Sequence, residues 1–500
     1  MDGAQRTVVR FLALFGQEGI VEGIFLGKGE TAVFLPFSRA NRHGLIAGAT
    51  GTGKTITLQL LAEGFSRAGV PVVVTDVKGD LAGMAFPGAD KAPFLKRAQE
   101  LGLTSYGPQA FPVIFWDALG EQGHPLRATV SDVGPLLLSR LLELSEAQEG
   151  ALNVAFRWAD EQGLLLLVFK DLQALLQHLT THRDAVAGMS VPSTSLGAIQ
   201  RRLVVLQQQG VERFLGEPML DVHDLMLTAP DGRGAVNILS CDRLFQYPRL
   251  YATVLLWLLA ELYENLPEVG DVPKPKQVLF FDEAHVIFED APRVLLEKIE
   301  QVVRLVRSKG VGVYFVTQNP LDVPDSISAQ LGHRVQHALR AFTPREQKAV
   351  KTAAETFRPN PRLDTAAVIT QLGIGEALVS VLQEDGTPSP VERVKIAPPV
   401  SRVGAISPEE RAKVRAASPL AGKYEASLDR ESAYEVLTKP QETPVWGGWS
   451  WGGGPPRPSQ PSRRGDTLAE ALLKSAARSV GSSLGRQIVR GILGSLLRGR

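Results

Sequence analysis

Two stretches of this chain are apolar without alternation: Val72-Val73-Val74 and Val278-Leu279-Phe280-Phe281. A strand with one wet face alternates polar and apolar residues, whereas an unbroken β-branched or aromatic run buries both faces. Runs of this kind, bounded by turn residues, recur at Gly44 to Ala47, Val70 to Asp76, Pro112 to Asp117, Ala235 to Ser240, Gln277 to Asp282, Val311 to Thr317, Arg334 to Leu339 and Ala377 to Leu382. Helix-period segments lie between them, at Thr55 to Ala68, Leu136 to Leu144, Glu146 to Glu161, Leu172 to Leu179, Leu196 to Gln209, Tyr247 to Leu266 and Arg293 to Lys309. Covered strands interleaved with helices predict an α/β fold, with a mostly parallel sheet and helices on both faces. The core is expected over residues 1–397. It begins with a short β segment (Ile20 to Phe25 and Thr31 to Leu35) and carries a helical insertion over residues 126–230.

Composition narrows the class. With 44% hydrophobic and 21% charged residues, most of the chain is globular. The lone Cys241 excludes a disulfide framework and a Cys-built zinc site, and it is expected as an inert core thiol. Lys plus Arg number 54 against 53 Asp plus Glu, so any nucleic-acid surface must be local. The apolar run Val8 to Phe15 is interrupted by Arg10 and is too short for a membrane span, and a cytoplasmic protein is expected. Residues 398–465 read as a linker, first polar, then rich in Gly, Pro and Trp (Trp446, Trp449, Trp451). Residues 466–500 read as a basic amphipathic helix. Leu468, Leu472, Ala476, Val480, Leu484, Ile488, Ile492 and Leu496 step by four, and six basic residues stand against Asp466 and Glu470. That pattern suits an anionic membrane surface, or packing against the core or a neighbouring subunit.

The chemistry concentrates in a few places. Gly48-Ala49-Thr50-Gly51-Thr52-Gly53-Lys54-Thr55 matches G-x-x-x-x-G-K-[ST] between a strand and a helix. Glycines let backbone N–H groups curl around phosphates, and the helix N-terminus adds positive potential. Lys54 would reach the β- and γ-phosphates of ATP, and the Thr55 hydroxyl would ligate Mg2+. Thr57 completes the expected nucleotide-binding set. At the end of the run Val278 to Phe281, Asp282 would hold Mg2+ and Glu283 would deprotonate the attacking water. An acid directly after the metal-binding Asp favours hydrolysis over group transfer. Gln318, after the strand Val311 to Thr317, would sense the γ-phosphate. Arg334 and Arg340 are alternative arginine fingers for a neighbour's ATP, and the sequence does not choose between them. Asp76, in Asp76-Val77-Lys78-Gly79-Asp80, ends a strand where α/β ligand sites form. His43 and His285 read as structural.

Together these motifs resemble the HerA-like ATPases of the FtsK–HerA superfamily. The resemblance rests on His43 to Thr55, Asp76 to Leu81, Phe281 to His285 and Val316 to Asn319. It extends to the bacterial YjgR-type subgroup through Gly134 to Leu138, Asp160 to Leu167 and Gly332 to Pro344. It covers roughly Leu26 to Leu382. It implies a RecA-like P-loop core, a homo-hexameric ring, and ATP-driven threading of DNA. On this reading Lys54, Thr55, Asp282, Glu283 and Gln318 keep the roles given above, and Arg334 or Arg340 acts in trans. The N-terminal β-barrel of HerA proper does not fit in the residues before Gly48, and neither the membrane helices nor the DNA-reading winged helix of FtsK is visible. The alternative is an ATPase that moves or remodels protein, akin to secretion and conjugation ATPases.

Overall fold

The computed structural model describes residues 22–439, apart from 90, 187–190, 290 and 292. Twelve strands form one sheet: β1 (Gly23–Lys28), β2 (Ala32–Pro36), β3 (Gly44–Ala47), β4 (Val72–Asp76), β5 (Val113–Asp117), β6 (His124–Pro125), β7 (Val236–Ser240), β8 (Gln277–Phe281), β9 (Val311–Thr317), β10 (His333–Gln336), β11 (Glu376–Ser380) and β12 (Glu392–Ile396). Their spatial order is 2-1-12-11-10-3-9-8-4-7-5-6. From β10 through β6 every pair is parallel, and from β10 through β2 every pair is antiparallel.

The apolar runs do bury both faces. Val72, Val74, Val278 and Phe280 pack with Leu58, Leu61 and Phe65 of α1 (Lys54–Arg67) on one side. Val73, Leu279 and Phe281 point the other way, into a cluster with Trp257 and Leu258 of α6 (Pro248–Asn265) and with Ile299 and Val303 of α7 (Arg293–Val306). Successive residues of one strand therefore serve two cores, which is why no position could be polar. Phe280 stacks near Tyr314 at 5.1 Å and Phe281 near Phe315 at 5.9 Å. Each such ring contributes on the order of 2–3 kcal/mol by burial alone.

Between β6 and β7 the chain makes α2 (Val130–Leu141), α3 (Glu146–Glu161), α4 (Phe169–Thr181) and α5 (Ser193–Gln208). The first starts earlier than its pattern suggested, because the Thr129 hydroxyl caps it by accepting the Asp132 N–H, and Gly134-Pro135 then breaks it. Asp171 in α4 is buried and accepts the Leu167 and Val168 N–H groups at 2.8 Å. These helices share the core of α6, so the insertion is a continuation of one face of the sheet.

The expected linker needs correction at its start. The chain from Pro398 to Thr438 folds onto the core. The buried Glu63 carboxylate of α1 accepts the Val400 N–H (3.0 Å) and the Ser401 N–H (2.9 Å). Burial, opposed by Arg67, raises the Glu63 pKa. Arg411 in α8 (Pro408–Ala416) lies 4.3 Å over the Phe115 ring, Tyr424 is buried, and Ser432 and Tyr434 donate to Asp171 beside α9 (Ala433–Thr438). Its buried polar groups have partners in the fold, while much of the segment, including all of Pro408–Ala416, stays exposed or half-exposed. The rest of that linker and the basic helix of 466–500 lie outside the described residues. Among the described residues, no helix is long and apolar enough to cross a membrane.

Candidate functional site

Because β3, β8 and β9 are parallel neighbours, their C-terminal ends bring three motifs to one edge. Gly48 leaves β3 at φ 153°, and a Cβ there would sit 2.5 Å from the Cβ of His337. Gly53 closes the loop at φ 121°, a backbone state that L side chains rarely adopt. The loop is pinned on both sides, with Ala49 N–H donating to the Ala338 carbonyl at 2.8 Å and Gly375 N–H donating to the Thr52 carbonyl at 3.0 Å. The Lys54 ammonium is held inside its own loop, by the carbonyls of Gly48 (2.6 Å) and Ala49 (3.1 Å). Burial, followed by the nearby Lys78, lowers its pKa, against the pull of Glu283 and Asp282.

Thr55 is partly exposed at the start of α1 and has no hydrogen-bond partner among the described residues, so its hydroxyl is free to serve a ligand. Thr57 is not. It is fully buried, and its Oγ1 lies 2.9 Å from His337 Nε2. Its side chain therefore does not join the nucleotide-binding set: two residues on from Thr55, about 200° around the helix, it faces the core. His337 Nδ1 lies 2.9 Å from the Glu376 carbonyl and so carries the proton, which leaves Nε2 to accept from Thr57. Burial lowers the His337 pKa to about 4, and the neutral ring forms the floor under Gly48.

Asp282 follows β8 directly. One of its carboxylate oxygens accepts the Glu283 N–H at 3.0 Å, and burial with the adjoining Glu283 charge pushes its pKa up to about 7. A buried carboxylate in that condition is suited to a cation. Behind it, Tyr251 OH donates to the Asp282 carbonyl at 2.6 Å, and the Asp282 N–H donates to Thr75 Oγ1 at 2.8 Å. Glu283 takes a left-handed backbone, φ 49°, which is strained for a side chain with a Cβ.

The Glu283 carboxylate gathers three partners. Gln318 Nε2 donates to both its oxygens at 3.3 Å, Lys78 Nζ lies 3.3 Å from Oε1, and His285 Nδ1 lies 3.5 Å from Oε2. Gln318 in turn accepts from Thr50 Oγ1 at 3.2 Å. A continuous chain thus runs Thr50, Gln318, Glu283, Lys78, from the phosphate-type loop to the acid and across to the β4 turn. For Lys78 itself, burial lowers the pKa, but Glu283 and Asp282 more than compensate and raise it.

In the Asp76 turn, sequence reasoning chose the strand-end acid. Asp76 instead folds the turn, accepting the Asp80 and Leu81 N–H groups at 3.2 and 3.1 Å. Lys78 is the residue the turn delivers to the site. Its only sequence signal was membership of the quoted motif, as was true of His337.

The two arginines separate. Arg340 is exposed two residues beyond Ala338, whose carbonyl holds the loop. Arg334 pairs with Leu45 within the sheet, and its guanidinium donates to the Ser328 carbonyl at 2.8 Å, towards the N-terminal ends of the strands.

Known proteins supply context for this geometry. The profile of a family described as Helicase HerA-like C-terminal matches residues 24–445. No curated protein matches the chain at a significant level. Among solved structures, the bacterial conjugative coupling protein TrwBdeltaN70 superposes with a TM-score of 0.52 at 16% identity, covering 81% of this chain and 93% of its own. The plasmid coupling protein TrwB in complex with the non-hydrolysable GTP analogue GDPNP gives 0.53 at 16% identity, covering 81% and 94%. VirB4 of Thermoanaerobacter pseudethanolicus gives 0.50 at 16% identity, covering 79% and 98%. At these identities the likeness establishes the fold.

Proposed function

Because the chain belongs to the helicase HerA-like C-terminal family of NTP-hydrolysing P-loop ATPases, we propose that it is a Mg2+-dependent, ring-forming motor that translocates DNA. The observation that carries this reading is the contact chain from Thr50 through Gln318 to Glu283 and Lys78, set beside the Gly48–Thr55 loop and Asp282. It ties the residue that would meet a γ-phosphate to the residue that would take a proton.

In this reading the loop N–H groups and Lys54 hold the ATP phosphates. Thr55 and Asp282 hold Mg2+, and the residues fit that ion: one free hydroxyl, and one buried carboxylate whose pKa burial has raised. When bound, Mg2+ would offset charge building on the phosphoryl oxygens. Glu283 accepts the proton of the attacking water, and Gln318 orients it. Lys54 leaves its own loop carbonyls to meet phosphate oxygen, a stronger, charge-assisted partner. Arg340, exposed on the loop side, is the better placed of the two arginines to reach a neighbouring subunit's nucleotide. Arg334 is engaged elsewhere. The GDPNP complex of TrwB supports nucleotide use by this fold. The YjgR-type assignment rests on the motifs from Gly134 and Gly332, and it belongs to this proposal.

The test is steady-state ATP hydrolysis with and without single- and double-stranded DNA, alongside native mass. Stimulation by DNA in a hexamer is expected. Hydrolysis indifferent to both forms would sink the DNA reading, and a co-purifying protein that stimulates turnover would replace it with the protein-moving alternative. The near-neutral total, 54 basic against 53 acidic residues, makes that alternative worth the second arm.

A further inference from the structure

At the opposite ends of the same strands lies a cavity of about 390 Å³. Arg42 reaches it from the turn before β3, Arg304 from the last turn of α7, Arg307 from the residues just after that helix, and Arg334 from β10. Among the described residues no carboxylate lines it. Thr356 and Ser380 also line it, with their hydroxyls donating to the Ala353 and Ser389 carbonyls.

The charges there are poorly matched. The Arg304 guanidinium has no hydrogen bond or ion pair among the described residues, and its side chain is exposed. Arg334 spends its guanidinium on Ser328, a neutral partner. Arg42 has one acid, Asp271, at 3.3 Å, but that side chain is 74% exposed, so water screens the pair. The Arg42 Nε–H is buried and has no partner. Burial, Arg42 and Arg39 depress the Arg307 pKa, with Asp271 opposing them. These guanidinium groups repel one another, with only partial relief from the exposed Asp271. A fold keeps such an arrangement at a cost that a bound anion would offset.

We infer that this cavity is a second anion site, separate from the Gly48–Thr55 loop, and that it takes a ligand bearing more than one phosphate. Guanidinium forks match phosphate oxygens two at a time, and several forks around one cavity select for repeated or clustered phosphates over a single carboxylate. The volume falls in the range of small-ligand sites. The four residues of β3 separate the cavity from the loop, on the order of 15 Å at about 3.3 Å per residue, so one ATP cannot serve both. Nucleic-acid backbone and a free polyphosphorylated compound share this chemistry. The inference does not depend on DNA translocation.

The experiment uses full-length Lys54→Ala protein, so that the loop is disabled, and titrates it calorimetrically with pyrophosphate and, separately, with short oligothymidylate. Each titration is repeated with Arg304→Ala and Arg307→Ala added. Both arginines lie at the surface end of a helix, and thermal melting confirms that the fold is kept. Arg304→Gln alone serves if the triple variant melts early. Binding of at least one probe, weakened about tenfold or more by the arginine changes, is the expected result. Pyrophosphate as the responding probe identifies a free phosphate compound, and oligothymidylate alone identifies nucleic-acid backbone. Binding that the arginine changes leave untouched, or no binding of either probe, overturns the proposal.

Discussion

The two ends of the central strands carry opposite electrostatics. At the C-terminal end the acids have donors in contact: Glu283 with the Lys78 ammonium and the Gln318 amide, and Asp76 with the N–H groups of its own turn. At the N-terminal end, four arginines face a cavity that no carboxylate lines among the described residues. Both ends are fixed by one backbone, so the difference is not one of scaffold. It lies in the turns. Those leaving the strands on one side bring an acid and a base into direct contact, and those entering on the other bring arginines together with the exposed Asp271 as a screened counter-charge.

The largest expected effect separates the two ends directly. Glu283→Gln should reduce phosphate release by about 10²–10⁴-fold while leaving nucleotide affinity within about twofold, whereas Arg304→Ala should change neither. Hydrolysis and nucleotide binding measured in parallel check this, and a comparable hydrolysis loss in the arginine variant would erase the distinction.

A second test acts on the arginine end through its histidines. Burial lowers His43 to about 3, with Arg307 and Arg42 adding to the depression, and lowers His333 to about 4. Both must be neutral in the fold, while the unfolded chain protonates near its ordinary 6.5. Stability is therefore complete above about pH 6.5 and falls as pH drops towards the folded values. Each histidine loses about 1.4 kcal/mol per pH unit, roughly 2 kcal/mol by pH 5. Denaturation midpoints from pH 7.5 to 5 check the slope, and His333→Gln should flatten it. Asp282 and Asp76, raised by burial to about 7 and about 6, gain stability over the same range as pH falls, so the comparison with His333→Gln carries the test, and equal slopes in the two proteins would contradict neutral burial of His333.

The smallest of the three concerns Lys78. Lys78→Ala removes one of three groups holding Glu283, so kcat should fall about tenfold with KM little changed, and Lys78→Arg should recover part of the loss. An unchanged kcat would reduce Lys78 to a surface ion pair.

The sequence was informative wherever a local pattern dictated structure. Val72 to Val74 and Val278 to Phe281 announced covered parallel strands because each residue meets one of two cores. It was silent on β12, where Glu392, Arg393 and Lys395 outnumber the buried Val394 and Ile396; a strand with one wet face beside an antiparallel neighbour reads as polar loop. It misjudged 398–438 for the same reason. The partners that make those polar residues structural are far away, Ser401 lying 338 positions from Glu63. Within the site, Lys54, Asp282, Glu283 and Gln318 were legible as motif positions. Lys78 and His337 were not, because their contacts join β4 to β8 and β10 to α1. The preference proposed for Arg340 over Arg334 rests on strand direction, because six residues along β10 and its exit carry the chain from one end of the central strands to the other.

The Glu63 clasp also sets a schedule for synthesis. At about 5–20 residues per second, a ribosome needs on the order of 20–70 s to make the 338 residues between this acid and Ser401. Throughout that interval α1 can form but its buried carboxylate has no backbone to hold, and β1 waits equally long for β12. The nascent chain therefore carries its nucleotide loop early and its finished sheet last, so that newly made molecules pass through a long window in which the loop exists without the edge that completes the fold.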